Sequence, residues 1–275
     1  MTKCHLILSF LLFLTLTGAC RKEDGPSLSE FGKQTEASQL LRFEQYILRL
    51  HAATPEEAFR IQDSLLRDAE SDSARLQQLL GLEDYFLMDP DSPYRDEERY
   101  LPVADYLQTS PFATEEQRAH ARWLAPRLRL NRPGTPAADF DFITPRGRRS
   151  SLYAAIDGRQ PAPRRTILFF SNPGCPNCKQ ITEVLSEDPD IQAQIAAGEL
   201  LVINIYPDED LQAWLDYVPE YPESWICGYD PDQVLNSSTR YWLHAIPSLY
   251  LLDEQKRVLL KDAPVEIILI NCKQR

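Results

Sequence analysis

The sequence predicts an all-helical domain followed by an α/β domain whose mixed sheet is flanked by helices. Three observations lead to this prediction. Apolar residues recur at helical spacing between residues 34 and 130, a cluster of chain-breaking residues follows, and short apolar runs then alternate with helical stretches. Strand–helix–strand alternation is typical of a sheet that carries helices on both faces. We therefore place the helical domain at 34–130 and the α/β domain at 134–275.

The first residues have the pattern of an export signal. Lys3 supplies a positive charge, residues 6–16 are almost entirely apolar, and Gly18 and Ala19 follow. Such a short run does not span roughly 30 Å of hydrocarbon, and small residues at its end are typical of a cleavage site. Small residues directly before Cys20 resemble the bacterial lipobox, which implies a signal peptide at 1–19 and a lipid on Cys20. An ordinary secretory signal is the alternative.

The next segment predicts where the protein is held. Residues 20–33 are mostly polar and are interpreted as a tether, and 21–24 (Arg-Lys-Glu-Asp) resemble a tag found on some surface-exposed Bacteroidetes lipoproteins. We expect a lipid-anchored protein of the cell envelope that faces the periplasm or lies on the outer-membrane surface. The net charge is −12. Because an acidic chain repels nucleic acid, we expect no nucleic-acid partner.

Helix signals are regular in the first domain. Thr54, Pro55 and Glu57 offer an N-cap, a proline at the first helical position and a capping-box glutamate. Further helices are predicted at 74–86, 97–107 and 114–130. Two amphipathic helices come before these, with the apolar sets Leu40, Leu41, Phe43, Tyr46, Ile47 and Leu50 for the first and Phe59, Ile61, Leu65 and Leu66 for the second.

A breaker cluster at 131–136 separates the two patterns. Beyond it, the alternation of short apolar runs with helical stretches predicts a sheet. The predicted strands are 140–143, 167–170, 200–205, 248–252 and 258–260, and the predicted helices are 178–185, 191–197 and 210–217.

One motif carries chemistry. An apolar strand is followed by a turn and by Cys175-Pro176-Asn177-Cys178, which opens a helix. The free N–H groups and the dipole at a helix start favour a thiolate on the first cysteine. The second cysteine lies one turn later, where it can attack a mixed disulfide formed by the first. Cys175 and Cys178 are therefore the predicted catalytic pair.

Two other interpretations compete for the same pair. A zinc site needs further cysteine or histidine ligands at suitable spacing, and the sequence offers no second pair. A static disulfide would close a very short loop. We expect redox chemistry, with no metal ion and no cofactor.

The second half of the chain resembles the thioredoxin-like domain of TlpA/ResA-type thiol–disulfide oxidoreductases. The resemblance rests on 138–140 with Gly147 and 151–152 as an opening hairpin, on Cys-Pro-Asn-Cys, and on 241–253, which is similar to the stretch around the family's cis-proline. The helical half resembles domains joined to such modules in Bacteroidetes lipoproteins. The resemblance implies that Ile246-Pro247 is cis, lies beside Cys175 and binds an extended substrate segment. From the residues alone, Pro247 is a strand-start proline.

The chain also departs from the family pattern. Phe169 stands where thioredoxin-like proteins often carry an acid on the strand, and Ile181 stands where some ResA-type proteins carry one on the helix. Both usual proton acceptors for Cys178 are therefore missing. Glu183 is on the same helix and is interpreted as part of its solvated face.

Other reactive or aromatic residues receive structural interpretations. His244 could tune the thiolate, but an exposed loop histidine is our interpretation. Cys227 and Cys272 could bridge, but separate thiols are preferred. We expect Trp225, Tyr229, Tyr241 and Trp242 to pack in the core and around the site.

The leading hypothesis is an envelope thiol–disulfide oxidoreductase. Its expected partners are exported thiol or disulfide proteins and a membrane or periplasmic redox partner. The alternative is a non-catalytic thioredoxin-fold lipoprotein that binds a partner or a metal. A peroxidase ranks last, since no second reactive cysteine setting is evident.

Overall fold

A computed structural model describes residues 36–273 of the chain, apart from Asn236, Ser238 and Thr239. The predicted signal peptide (1–19), the lipidation site Cys20 and the tether (20–33) lie outside the described residues. Within the described part, no helix is both long enough and apolar enough to cross a membrane.

The first half of the described chain is helical, as predicted. It has no strand among residues 36–128, and the helix bounds agree with the predicted ones to within a few residues. These helices are α1 (Glu36–Ala52), α2 (Pro55–Ala69), α3 (Ser73–Leu87), α4 (Glu97–Thr109) and α5 (Glu115–Leu128).

Side-chain caps define where two of these helices begin. The Thr54 hydroxyl accepts a hydrogen bond from the Glu57 N–H, and the Glu57 carboxylate accepts one from the Thr54 N–H. Thr114 and Gln117 form the same reciprocal pair at the start of α5. Both boxes satisfy N–H groups that have no partner within the helix. The capping box predicted at Thr54 is thus confirmed.

The buried face of α2 differs from the predicted apolar set. Phe59 is 50% exposed, whereas Gln62 is fully buried. The amide of Gln62 donates a 2.8 Å hydrogen bond to the backbone oxygen of Arg99 on α4. A polar side chain therefore lies in this core because it satisfies a carbonyl on the neighbouring helix, and Phe59 falls on the flank. In α1, Leu41 is likewise exposed.

The second half of the described chain forms a sheet with flanking helices, as predicted. The strands are β1 (Asp141–Ile143), β2 (Arg149–Ser151), β3 (Arg165–Phe170), β4 (Leu200–Tyr206), β5 (Ile226–Tyr229), β6 (Ser248–Asp253) and β7 (Val258–Leu260). The helices are α6 (Leu152–Asp157), α7 (Pro176–Glu187), α8 (Pro189–Ala196), α9 (Leu211–Tyr217) and α10 (Val265–Lys273), with a short 3-10 helix at Val218–Glu220.

The seven strands form one mixed sheet in the order β2-β1-β5-β4-β3-β6-β7. Strands β3, β4 and β5 are parallel, whereas β6 runs antiparallel to β3 and β1 antiparallel to β5. The β1–β2 hairpin corresponds to the opening hairpin implied by the resemblance. Strand β5, which the sequence patterns did not predict, completes the parallel centre beside β4.

Alternate side chains of β3 enter different cores. Ile167 and Phe169 pack on one face of the sheet, together with residues of α7, α8, α9 and α10. Leu168 and Phe170 pack on the other face, together with α6. This alternation follows from the two-residue period of a strand. The helices α1 to α5 have a separate core of their own.

Candidate active site

The Cys-x-x-Cys pair lies where the chain leaves the central strand β3 and enters α7. Cys175 is the N-cap of α7 and Pro176 is its first residue. Gly174 has a φ of +74°, a left-handed conformation that glycine adopts without steric cost. Cys175 and Cys178 form a disulfide with their Cα atoms 5.2 Å apart. The strand, turn and helix start predicted around the pair are all present.

The two sulfurs have different environments. Cys175 is partly exposed, whereas Cys178 is 2% exposed and packs into the sheet core. The backbone N–H of Cys178 donates a hydrogen bond to Sγ of Cys175 at 3.1 Å. A free N–H group and the helix dipole at this position stabilise negative charge on the sulfur. The geometry therefore favours an accessible thiolate at Cys175 and a protected thiol behind it.

A cis-proline lies at the same end of the sheet. The Ile246–Pro247 peptide bond is cis, as the resemblance implied. Ser248, the next residue, pairs with Phe170 at the end of β3, so the start of β6 adjoins the end of β3. Both Cys175 and Ile246 pack against the sheet core that contains Cys178. Sheet register thus brings the cysteine turn and the cis-proline to one edge.

The two residues that depart from the family pattern, Phe169 and Ile181, lie in apolar surroundings in the structure. Phe169 is fully buried and meets the Trp225 ring at 6.3 Å between ring centroids. Ile181 is partly buried against the same core. Glu183 is exposed and pairs with Lys179 at 3.9 Å, one turn away on α7. Glu183 therefore belongs to the solvated helix face, as interpreted from the sequence.

A buried polar cluster on this side of the sheet was not predicted from the sequence. The amide nitrogen of Asn204 donates to Ser171 Oγ at 2.6 Å, and Ser171 Oγ lies 2.8 Å from the Tyr221 hydroxyl. Asn204 and Ser171 are fully buried, and Tyr221 is 6% exposed. The signal was present, since Asn204 interrupts the otherwise apolar run of β4. We call these three residues the Asn204 cluster.

The Asn204 cluster is neutral. Burial raises the pKa of Tyr221 to about 12, with the Ser171 hydrogen bond acting in the opposite direction. Tyr221 therefore keeps its proton at physiological pH and serves as a hydrogen-bonding group. Asn204 Oδ1 is buried and accepts no hydrogen bond within the described part of the chain.

The other two cysteines in the described residues are separate buried thiols, as preferred from the sequence. Burial raises the pKa of Cys227 to about 12 and that of Cys272 to about 11. A thiol with such a pKa holds almost no thiolate near neutral pH, and the thiolate is the reactive form. Neither residue therefore competes with Cys175 as a nucleophile.

The histidine and aromatic candidates have structural positions. His244 is exposed and stacks on the Trp242 ring at 4.9 Å between centroids. Trp225 and Tyr229 pack in the core that contains Cys178, and Tyr241 packs in the core on the opposite face. Trp242, however, is buried in the core of the helices α1 to α5.

Among the residues that the structure describes, no three His, Cys, Asp or Glu side chains form a group that could hold a metal ion. Cys175 and Cys178 are each other's partners.

A mixed sheet with a Cys-x-x-Cys at a helix start and a cis-proline at the same end of the sheet defines the thioredoxin-like class. Residues 154–261 match the family described as a thioredoxin-like domain, and 31–131 match a domain of unknown function (DUF5106). A thioredoxin-like protein from Bacteroides caccae is 31% identical over 90% of this chain and 87% of its own, with a TM-score of 0.78. The chain belongs to the thioredoxin-like proteins, with a helical DUF5106 domain before the thioredoxin-like one.

Two further solved structures resemble the second half of the chain. The C-terminal domain of a Bacteroides fragilis protein is 38% identical, covering 52% of this chain and 99% of its own, with a TM-score of 0.48. A thiol-disulfide oxidoreductase from Bacteroides fragilis is 19% identical, covering 51% and 98%, with a TM-score of 0.43. No curated protein matches the chain. The thioredoxin-like fold supports a redox role.

Proposed function

We propose that this protein is a thiol–disulfide oxidoreductase of the cell envelope that exchanges disulfides with exported proteins. The observation that carries the proposal is the unequal pair at the start of α7. Cys175 is accessible and hydrogen-bonded through its sulfur to a helix N–H, whereas Cys178 is buried one turn behind it. This inequality supports an attacking role for Cys175 and a resolving role for Cys178.

The reaction uses two successive exchanges. The Cys175 thiolate attacks one sulfur of a partner disulfide, an S–S bond forms between the proteins, and the other partner sulfur leaves as a thiolate. The Cys178 thiolate then attacks Cys175 Sγ, which forms the intramolecular disulfide and releases the second partner thiol. The partner gains two electrons and the protein loses two. The same steps in reverse oxidise a dithiol partner.

The cis-proline supplies the proposed substrate platform. The backbone of Ile246 precedes strand β6 at the edge where Cys175 lies. An extended segment of a partner would pair with this backbone, in the manner of strand addition. Ile246 and Pro247 are therefore the proposed substrate-binding residues, and the redox partner that resets the pair would use the same face.

The cellular location is part of the proposal and rests on the N-terminal sequence. The apolar run, the small residues before Cys20 and the polar residues after it are typical of a lipid-anchored exported protein. A Cys20→Ala variant should leave the membrane fraction and lose incorporated radioactive palmitate. Palmitate retained by that variant would contradict lipidation at Cys20.

The catalytic proposal is tested by replacing single cysteines in the purified protein. With dithiothreitol as the electron donor, the purified protein should reduce the disulfide of a substrate protein, and Cys175→Ser should abolish this activity. Cys227→Ser is the matched control, because Cys227 is a buried thiol outside the pair, and it should retain activity. Cys178→Ser should accumulate a mixed disulfide through Cys175, visible on a non-reducing gel and by mass spectrometry.

Two outcomes would contradict the proposal. Undiminished activity of Cys175→Ser would exclude the attacking role of this residue. Metal-dependent protection of both thiols from alkylation, without a reversible two-electron step in a glutathione redox series, would favour the non-catalytic alternative, a lipoprotein that binds a metal.

A further inference from the structure

The chain segment that leads to the cis-proline is held by both domains. Tyr241 is fully buried in the sheet core, and its hydroxyl donates to the Ala138 backbone oxygen at 2.9 Å. The next residue, Trp242, is 6% exposed and lies in the core of α1 to α5. Its ring meets that of Trp123 on α5 edge-on, with 6.2 Å between centroids. Consecutive side chains thus enter the cores of different domains, five and six residues before Pro247.

A second contact between the domains lies beyond strand β7. Lys261 Nζ is 2.6 Å from the Glu97 carboxylate of α4, and both side chains are at most 5% exposed. Lys261 Nζ also donates to the Leu128 backbone oxygen at 2.8 Å. The helical domain therefore supplies the Lys261 ammonium with a counter-ion, Glu97, and with a hydrogen-bond acceptor, the Leu128 carbonyl.

The turn at 261–263 is tied directly to β6. The Ala263 N–H donates to the Leu249 backbone oxygen at 3.0 Å, two residues after Pro247. Beside it, Arg95 of the helical domain donates to the Asp262 backbone oxygen at 2.9 Å and lies 3.5 Å from the Asp262 carboxylate. The helical domain thus contacts the chain before the cis-proline through Trp242 and after it through Lys261 and Asp262.

The two domains are already joined by the peptide chain, so these contacts are not required to keep them together. A buried ion pair is weak evidence for stability, because removing both charges from water opposes their attraction. It does fix geometry, since each charge has a neutralising partner at one position. Burial raises the pKa of Glu97 to about 7, and the charge of Lys261 opposes that rise. A movement of the turn that separated the pair would leave a buried charge uncompensated.

We propose that the helical domain is a positioning part of the redox site, and that Trp242 and the Lys261–Glu97 pair hold the Ile246–Pro247 platform in register with Cys175. This inference rests on the proposed function. Trp242, Lys261 and Glu97 act through the platform and do not touch the reacting sulfurs. An extended polypeptide substrate needs the platform and Cys175 together, whereas a small thiol needs Cys175 alone. The helical domain therefore serves selectivity for polypeptide disulfides.

The test compares two substrates on the full-length mature protein. One assay measures kcat and KM for reduction of an extended peptide with an internal disulfide. The other measures the rate constant at which dithiothreitol reduces the Cys175–Cys178 disulfide. Trp242→Leu should lower kcat/KM for the peptide by about tenfold, mainly through KM, which is the size expected for coupling between contacting groups. The dithiothreitol rate constant should stay within about twofold.

Two variants separate positioning from general destabilisation. Phe43→Leu removes an aromatic ring from the same helical core, where Phe43 is fully buried, and should leave both assays unchanged. Trp242→Phe should restore most of the peptide activity. If Trp242→Leu does not fold, the double variant Glu97→Gln with Lys261→Met replaces it, because it removes both buried charges together.

The proposal is overturned if peptide and dithiothreitol reactions fall together, if neither falls, or if Phe43→Leu raises the peptide KM as much as Trp242→Leu does. Failure of the proposed function has a different signature. In that case the wild-type protein itself would not reduce the peptide, although dithiothreitol would still open its disulfide.

Discussion

The backbone N–H of Cys178 donates a hydrogen bond to Sγ of Cys175 across 3.1 Å at the start of α7. This contact joins the two cysteines of the proposed redox pair. Cys178, the proposed resolving residue, also supplies the N–H group that would stabilise the sulfur of Cys175, the proposed attacking residue. The two cysteines thus differ in hydrogen bonding as well as in exposure. Cys175 accepts a backbone hydrogen bond at its sulfur and is partly exposed, whereas Cys178 donates that bond and is buried.

The reduced protein should react with iodoacetamide at one thiol first. Cys175 is partly exposed at a helix start, whereas burial raises the pKa of Cys227 to about 12 and of Cys272 to about 11. Peptide mapping after brief alkylation at about pH 7 should find Cys175 modified and these two intact. Faster labelling of Cys227 than of Cys175 in folded protein would refute the assignment of the nucleophile.

The Asn204 cluster should contribute to stability. Replacing Asn204 by Ala removes the donor to Ser171 inside the sheet core, where both side chains are fully buried. We expect a loss of about 1–3 kcal/mol in the free energy of unfolding, measured in urea. Asn177→Ala, at an exposed position on α7, should change the free energy of unfolding by less than about 0.5 kcal/mol. Equal effects of the two substitutions would contradict the structural role.

Glu83 should make the stability of the helical domain depend on pH. It is fully buried, its carboxylate accepts a 2.9 Å hydrogen bond from the Tyr46 hydroxyl, and burial raises its pKa from 4.5 to about 8. The folded protein therefore binds a proton that the unfolded chain releases between these pH values. The stabilisation is fully present below about pH 4.5 and is lost as the pH rises through about 8.

Glu83→Gln should flatten this dependence, because the amide does not titrate. Chemical unfolding at several pH values between about 5 and 9, measured on wild type and variant, gives the difference in slope. Glu187→Gln replaces an exposed glutamate on α7 and should leave the wild-type slope unchanged. A wild-type slope in the Glu83→Gln variant would show that the buried carboxyl group is not the source.

Gly228 should not tolerate a side chain. A Cβ atom at this position of β5 would lie 2.3 Å from Cδ2 of Phe142, which is itself fully buried. Gly228→Ala should therefore lower the free energy of unfolding by about 1–3 kcal/mol, through overpacking. Gly81 on α3 has open space where the methyl group of an alanine would lie, so Gly81→Ala should stabilise by about 0.5–1 kcal/mol. Thermal unfolding of both variants and of the wild type measures these changes. A Gly228→Ala variant as stable as the wild type would contradict the close packing of β5 on β1.

Local signals predicted most of the secondary structure. Thr54 with Glu57 indicated the start of α2, and the apolar run before Cys175 indicated β3, because caps, breakers and periodicity act within a few residues. Strand β5 escaped prediction because it has four residues, one of them Gly228. Its identity as a strand comes from pairing with β4, which is a contact distant in sequence.

The predicted site was less complete than the predicted fold. The sequence singled out the cysteine pair, Phe169 and the cis-proline stretch, but not Ser171 and Tyr221, which are 50 residues apart and hydrogen-bonded to each other. Polar residues in loops rarely reveal from sequence whether they are buried. In β4, Asn204 alone carried such a signal.

The sequence by itself determined where the candidate redox pair lies, since a Cys-x-x-Cys at a helix start needs only a strand, a turn and a capped helix in succession. It also predicted Cys175 at the start of the helix and Cys178 on its first turn, where the structure has them. The tertiary structure alone decided that Trp242 enters the helical core and that Lys261 pairs with Glu97. Those contacts join residues far apart in the chain, and they form only when both domains bury their surfaces against each other.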